Sequence, residues 1–180
     1  MPMKNFDKQQ IADVRGELDA QAVYRQIRQC NAFADFARSF AFSPAPMVAR
    51  NALWCLTKAN PPELRQLQPL LDEFINQAIA TEHSSVRRLS LNIVERLQLD
   101  KDSLRTDFLD FCLQHMAQLD EPPGVQAVCM KLAHRMCAFY PELRQEFTHT
   151  LLAMDQSYYK SAVKCVINRI LKGKLKPVND

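Results

Sequence analysis

Four valines, Val48, Val86, Val125 and Val163, recur at intervals of 38, 39 and 38 residues, and each opens the same phrase. Counted from each valine, offsets of about 3, 4, 7 and 8 are small or apolar. They are Asn51, Ala52, Cys55 and Leu56; Leu89, Ser90, Ile93 and Val94; Val128, Cys129, Leu132 and Ala133; and Val166, Ile167, Ile170 and Leu171. That spacing puts one apolar stripe on one side of a helix. A second phrase interleaves with the first. Leu64-Arg65, Leu104-Arg105 and Leu143-Arg144 recur at intervals of 40 and 39. A helical period near forty is the mark of a stacked α-repeat, in which neither helix of a pair can bury its stripe alone and stacking on the neighbours does so.

The punctuation between the phrases sets the expected helices. The spacing predicts a short leading helix over 5–15 stopped by Gly16, then a long helix over 20–40 capped by Asp19 and ended by Ser43-Pro44-Ala45-Pro46. Further helices are predicted over 47–59, 63–80 (bent but not ended at Pro69), 86–98, 103–119, 125–138, 142–154 and 158–172. Asn60-Pro61-Pro62, His83-Ser84-Ser85, Asp100-Lys101-Asp102 and Glu121-Pro122-Pro123-Gly124 are the predicted joints. Only three glycines occur in 180 residues, which argues against a β-rich fold with many tight turns. No window approaches eighteen uninterrupted apolar residues, and the first residues carry no apolar secretory core, so a cytoplasmic chain is expected. Six cysteines, none in a C-x-x-C pair, read as reduced thiols packed like small apolar side chains.

A Val-Arg-Arg start on the second helix, a proline-bent first helix and a period near 39 resemble HEAT repeats, among the armadillo-like α-solenoids. The resemblance runs over about 20–173. It implies an all-α fold, a right-handed α-α superhelix of about four HEAT-like helix pairs. The corresponding division is an N-terminal segment at 1–18, a repeat domain at 19–174 and a tail at 175–180. From Glu121 to Lys174 the chain is also similar to small HEAT-like proteins of Bacteroidetes-type bacteria, some of which carry the name adenylosuccinate lyase. The Ser-Ser-x-Met-Pro-x-Lys loop of that lyase is absent here and the chain is too short for its fold. Alkylpurine DNA glycosylases are built from HEAT-like repeats too; of the acid and aromatic groups they use, the valine-headed helices here offer only Glu95 and Trp54, with no position matching their catalytic aspartate.

Charge is the clearest functional signal. The segments 46–59, 84–98, 123–138 and 157–176 hold thirteen Lys and Arg against one acid, Glu95, a balance of +12 within a chain whose net charge is +3. The helices of these segments are expected to line the concave side of a solenoid, which would then be basic. Offsets 2, 6 and 10 from each valine set out the ladder, and the candidate binding residues are Arg50, Trp54, Lys58, Arg87, Arg88, Arg96, Lys131, Arg135, Lys164 and Arg169. Such a ladder suits an acidic protein partner or a phosphate backbone. It is also what helix C-termini and covered apolar surface would select, since Lys and Arg complement the macrodipole and their stems shield apolar neighbours. Trp54 either stacks on a partner or leans on the Phe-rich first helices. His83, His115, His134 and His149 show no ligand spacing and are expected at the surface or its boundary. The resulting expectation is a non-catalytic interaction module, without cofactor or metal. It would bind an acidic protein partner; nucleic-acid binding of the glycosylase kind is the alternative.

Overall fold

The computed structural model describes residues 6–175, and every regular element among them is helical. The chain divides into two compact units, Met1–Leu97 and Gln98–Asp180. The first contains α1 (Lys8–Ala12), α2 (Glu17–Cys30), α3 (Phe33–Phe36, continued as a π-helical turn Ala37–Ala41), α4 (Pro46–Leu56), α5 (Pro61–Leu67), α6 (Leu71–Ala80) and α7 (Ser84–Arg96). The second contains α8 (Thr106–Ala117), α9 (Pro123–Cys137), α10 (Pro141–Ala153) and α11 (Ser161–Leu171).

The valine-headed helices are α4, α7, α9 and α11, and their predicted stripes form the core. Val48, Ala52, Cys55 and Leu56 are buried on α4, as are Val86, Leu89, Ile93 and Val94 on α7, Val125, Val128, Cys129 and Leu132 on α9, and Val163, Val166, Ile167 and Ile170 on α11. In the first unit α4 packs on α7, and α7 on α6; in the second, α9 packs on α8, α10 and α11. Each buried Leu, Ile or Phe side chain contributes about 1.5–3 kcal/mol relative to exposure, so these stripes dominate the stability of both units.

Several boundaries differ from the sequence expectation, each for a local reason. The predicted helix over 20–40 is broken after Cys30. Asn31 adopts the left-handed conformation at φ 50, and the Asn31 and Ala32 amides turn back onto the Arg28 and Ile27 carbonyls, a C-terminal stop that asparagine tolerates better than most residues. Gly16 caps the start of α2 and does not stop α1; Asp19, predicted as the cap, sits in the first turn, where its carboxylate accepts from the Arg15 and Gly16 amides at 3.0 and 3.1 Å. Pro69 has no N–H to give the carbonyl four residues back, and Gln68–Leu70 tighten into a 3-10 turn that separates α5 from α6. The helix expected from 103 begins at Thr106. Arg105 is its N-cap, folded over Asp107 through Nε and Nη2 at 3.1 and 2.6 Å, so the Leu-Arg phrase lies inside a helix in α5 and α10 but outside one here.

Polar side chains tie together segments about one period apart. In the first unit Asn51 Nδ2 reaches the Ile11, Ala12 and Val14 carbonyls, Arg96 reaches those of Thr57 and Ala59, and Gln77 Nε2 reaches that of Ala41 at 2.6 Å. Glu63, almost fully buried, accepts from Tyr24 Oη at 3.0 Å and pairs with Arg28 at 3.3 Å. In the second unit Tyr159 Oη donates to the Ala117 carbonyl at 3.0 Å, and His134 Nε2 lies 3.0 Å from that of Leu175. Buried polar groups need such partners, and here the partners come from the adjoining repeat.

Candidate functional site

On α4 the residues four apart, Arg50, Trp54 and Lys58, share one side of the helix. Trp54 is half-buried, and the Arg50 guanidinium and the Lys58 ammonium each stand 5.7 Å from the centroid of its ring. Both are at cation–π distance. Arg50 Nη1 also donates to Asn51 Oδ1 at 2.9 Å, and Lys58 Nζ meets Glu17 Oε1 of α2 at 2.5 Å. The bonds from Lys58 and Gln21 hold the Glu17 carboxyl below the usual glutamate range. On α7, the neighbour of α4, Arg88 is exposed at the position equivalent to Arg50.

The other predicted cations are placed differently. Arg87 donates through Nε to the Ala78 carbonyl at 3.1 Å and through Nη2 to that of Thr81 at 2.5 Å, closing the C-terminal end of α6. Arg96 donates to Thr57 and Ala59 at 2.8 and 2.6 Å, just past the end of α4. Both serve the orphan carbonyls of a helix end. In the second unit Lys131 is half-buried on α9, and Arg135 is only 7 % exposed, in place of the boundary position its offset suggested. On α11 Lys164 is half-buried and Arg169 exposed.

One histidine departs from the expected surface or boundary position, and another, half-buried as expected, has an acidic partner. His134 is buried, and because a carbonyl can only accept, its Nε2 carries the proton given to Leu175. Burial lowers its pKa, against a smaller opposing effect of that bond. His115 meets a carboxylate: its Nδ1 lies 2.9 Å from Glu121 Oε2, with the Phe111 ring 4.0 Å from the imidazole. The pair fixes the turn between α8 and α9. The two residues stand six apart, from the last turn of α8 to the residue before Pro122-Pro123, a separation that no helical spacing rule covers.

The first unit also carries a groove of about 550 Å³ where the 42–46 turn, the start of α4, the last turns of α6 and the start of α7 meet. A smaller hollow of about 340 Å³ lies in the second unit between the end of α9 and α10, beside Arg144 and His149. Among the described residues no three His, Cys, Asp or Glu gather as a metal site would require, and no helix is long and apolar enough to cross a membrane.

Compared with known families, the chain matches the HEAT repeat domain over residues 8–174. The chain belongs to the HEAT repeat family. No curated protein and no solved structure matches it. A HEAT repeat is a scaffold for interactions and is typically non-catalytic.

Proposed function

We propose that this HEAT repeat protein is a non-catalytic, cytoplasmic binding module. It meets an acidic protein partner through Arg50, Trp54, Lys58 and Arg88 on α4 and α7. The observation that carries the reading is one half-buried tryptophan flanked by two cations on α4, with a further exposed arginine at the equivalent position of α7, the helix packed beside it. Aromatic and arginine side chains at the centre of a patch supply most interface energy, whereas each exposed charge pair adds only about 0.2–1 kcal/mol. Recognition would therefore rest on Trp54 and be tuned by the charges around it. The second unit carries cations of its own at Lys131, Lys164 and Arg169 on α9 and α11.

A protein is favoured over a nucleic acid by the tryptophan's surroundings. A base would need an open aromatic face to stack on, and both Arg50 and Lys58 already lie over the indole. Trp54, the single tryptophan of the chain, is also the probe. A partner recovered by pull-down from the native host should shift Trp54 fluorescence, weaken with salt, and be lost with the Arg50→Glu/Arg88→Glu double substitution. Equal recovery by wild type and double variant would end the proposal. Duplex DNA that binds with a steep salt dependence would replace the protein partner by a phosphate backbone. Release of methylated bases that depends on Glu95 would make the protein an enzyme.

A further inference from the structure

The groove of the first unit has a character opposite to that of the basic patch. Its walls are apolar: Phe42, Pro44 and Pro46 on one side, Ala80 and Val86 on the other, with Ala49 buried at the base. Phe42 is fixed by the buried Phe74 ring, 5.0 Å away. The floor is held in place as well. Gln77 spends its Nε2 on the Ala41 carbonyl at 2.6 Å, and its Oε1 accepts from Ser90 Oγ at 3.0 Å, so the side chain is set before anything binds. A volume of about 550 Å³ falls within the range of ligand sites.

Charge decides what fits. Glu73 is the one charged side chain that lines the groove; it is exposed on α6, one turn before Asn76 and Gln77, and Glu82 is exposed in the turn that follows α6. Of the two cations next in sequence to lining residues, Arg87 is bound to the Ala78 and Thr81 carbonyls, and Arg50 lies against the Trp54 ring and donates to Asn51. We infer that this groove takes an extended peptide that places a bulky apolar side chain against Phe42, Pro46 and Val86 and an adjacent lysine or arginine beside Glu73. A peptide suits it better than an enclosed small molecule, because Pro44, Pro46, Glu73, Asn76, Ala80 and His83 are all exposed along its rim. The inference stands apart from the acidic-partner reading and uses none of its residues.

The test uses the full chain and three capped pentapeptides, Ser-Leu-Arg-Leu-Ser and its versions with Glu or Gln in the central position. Backbone amide shifts should move for Phe42, Ala49, Ala80 and Val86. The arginine peptide should bind about fivefold more tightly than the glutamate one at low salt, the scale of one exposed charge pair. Glu73→Gln should erase that preference while leaving the apolar contribution. Ala80→Trp, at an exposed position that tolerates bulk without unfolding, should remove binding of all three peptides while its amide spectrum elsewhere stays native. The inference is overturned by an absence of shifts at millimolar peptide, by shifts confined to other surfaces, or by equal binding of the three peptides. It is also overturned by tighter binding of the glutamate peptide, which would make the first turns of α4 and α7 the determinants, or by an Ala80→Trp variant that binds like wild type.

Discussion

Asn51 gives the sharpest test of how the first unit is held together. Its side chain has no exposure at all, and one amide nitrogen faces three carbonyl oxygens, of Ile11 at 2.9 Å, Val14 at 3.1 Å and Ala12 at 3.2 Å. The Ile11 oxygen also accepts from the Val14 amide, so its loss is partial; those of Ala12 and Val14 depend more on Asn51. A buried carbonyl left without a donor costs about 1–3 kcal/mol. Asn51→Ala should therefore destabilise the unit by about 2–4 kcal/mol, which for a chain of this size lowers Tm by about 5–12 °C. Asn51→Asp is the stricter variant, because it keeps the shape and turns the donor into an acceptor facing three oxygens. Arg50 beside the other oxygen works the opposite way but is partly solvated, so the buried carbonyls should prevail and raise the carboxyl's folded-state pKa above its unfolded value. Stability contributed by such a group is present below the unfolded pKa and lost as pH rises through the folded one. The Asn51→Asp variant should thus be at least as unstable as Asn51→Ala at neutral pH and regain stability as the solution is acidified. Urea unfolding followed by Trp54 fluorescence reads the first unit, and hydrogen exchange at 8–14 reads the fastening itself. A loss under about 0.5 kcal/mol for Asn51→Ala, or an Asn51→Asp variant as stable as wild type at pH 7, would refute the reasoning.

Arg96→Met removes two bonds to the Thr57 and Ala59 carbonyls and should cost about 1–2 kcal/mol in urea unfolding, whereas Arg88→Met, at an exposed position, should stay within about 0.5 kcal/mol. Of the six thiols, the exposed Cys30 and Cys165 should react quickly with an aromatic disulfide reagent at pH 8. Cys55 and Cys137, raised by burial to about 12 and about 11, and Cys112, raised by burial and its contact with Cys129, should react only on unfolding. His134 titrates below the usual histidine range in the folded state, so the unfolded chain takes up a proton first and stability should fall as pH drops through the ordinary histidine value. His134→Gln, whose amide can still donate to Leu175, should flatten that part of the pH–stability curve.

Much of the fold was legible because its period is written in apolar residues: the stripes from Val48, Val86, Val125 and Val163 are the buried stripes. Apart from the break at Pro69, the misread boundaries share a cause. Asn31, Gly16 and Arg105 act through backbone conformation and capping, and a capping residue looks like any polar residue until its φ and its partners are known. The site was legible only in composition. Arg87 and Arg88 are adjacent and identical in type, yet one closes a helix end and the other faces solvent, because a step of one residue turns a helix by about 100°. Arg135 went astray because its offset flanks the stripe, and α9, packed on α8, α10 and α11, is buried over more of its circumference than one stripe. The groove had no sequence signature, since its walls come from three separate stretches whose residues are each unremarkable.

The ties that end on a main-chain oxygen have a consequence for how such a chain can change over time. Asn51, Gln77, Arg96 and Tyr159 each ask of their partner only a carbonyl, which every amino acid supplies. One end of each tie is thus indifferent to substitution, and Ile11, Ala41, Thr57 and Ala117 can drift in side chain without loosening it. Successive copies of a duplicated hairpin can then lose their likeness to one another while remaining fastened, leaving little beyond the valine stripe to betray the duplication.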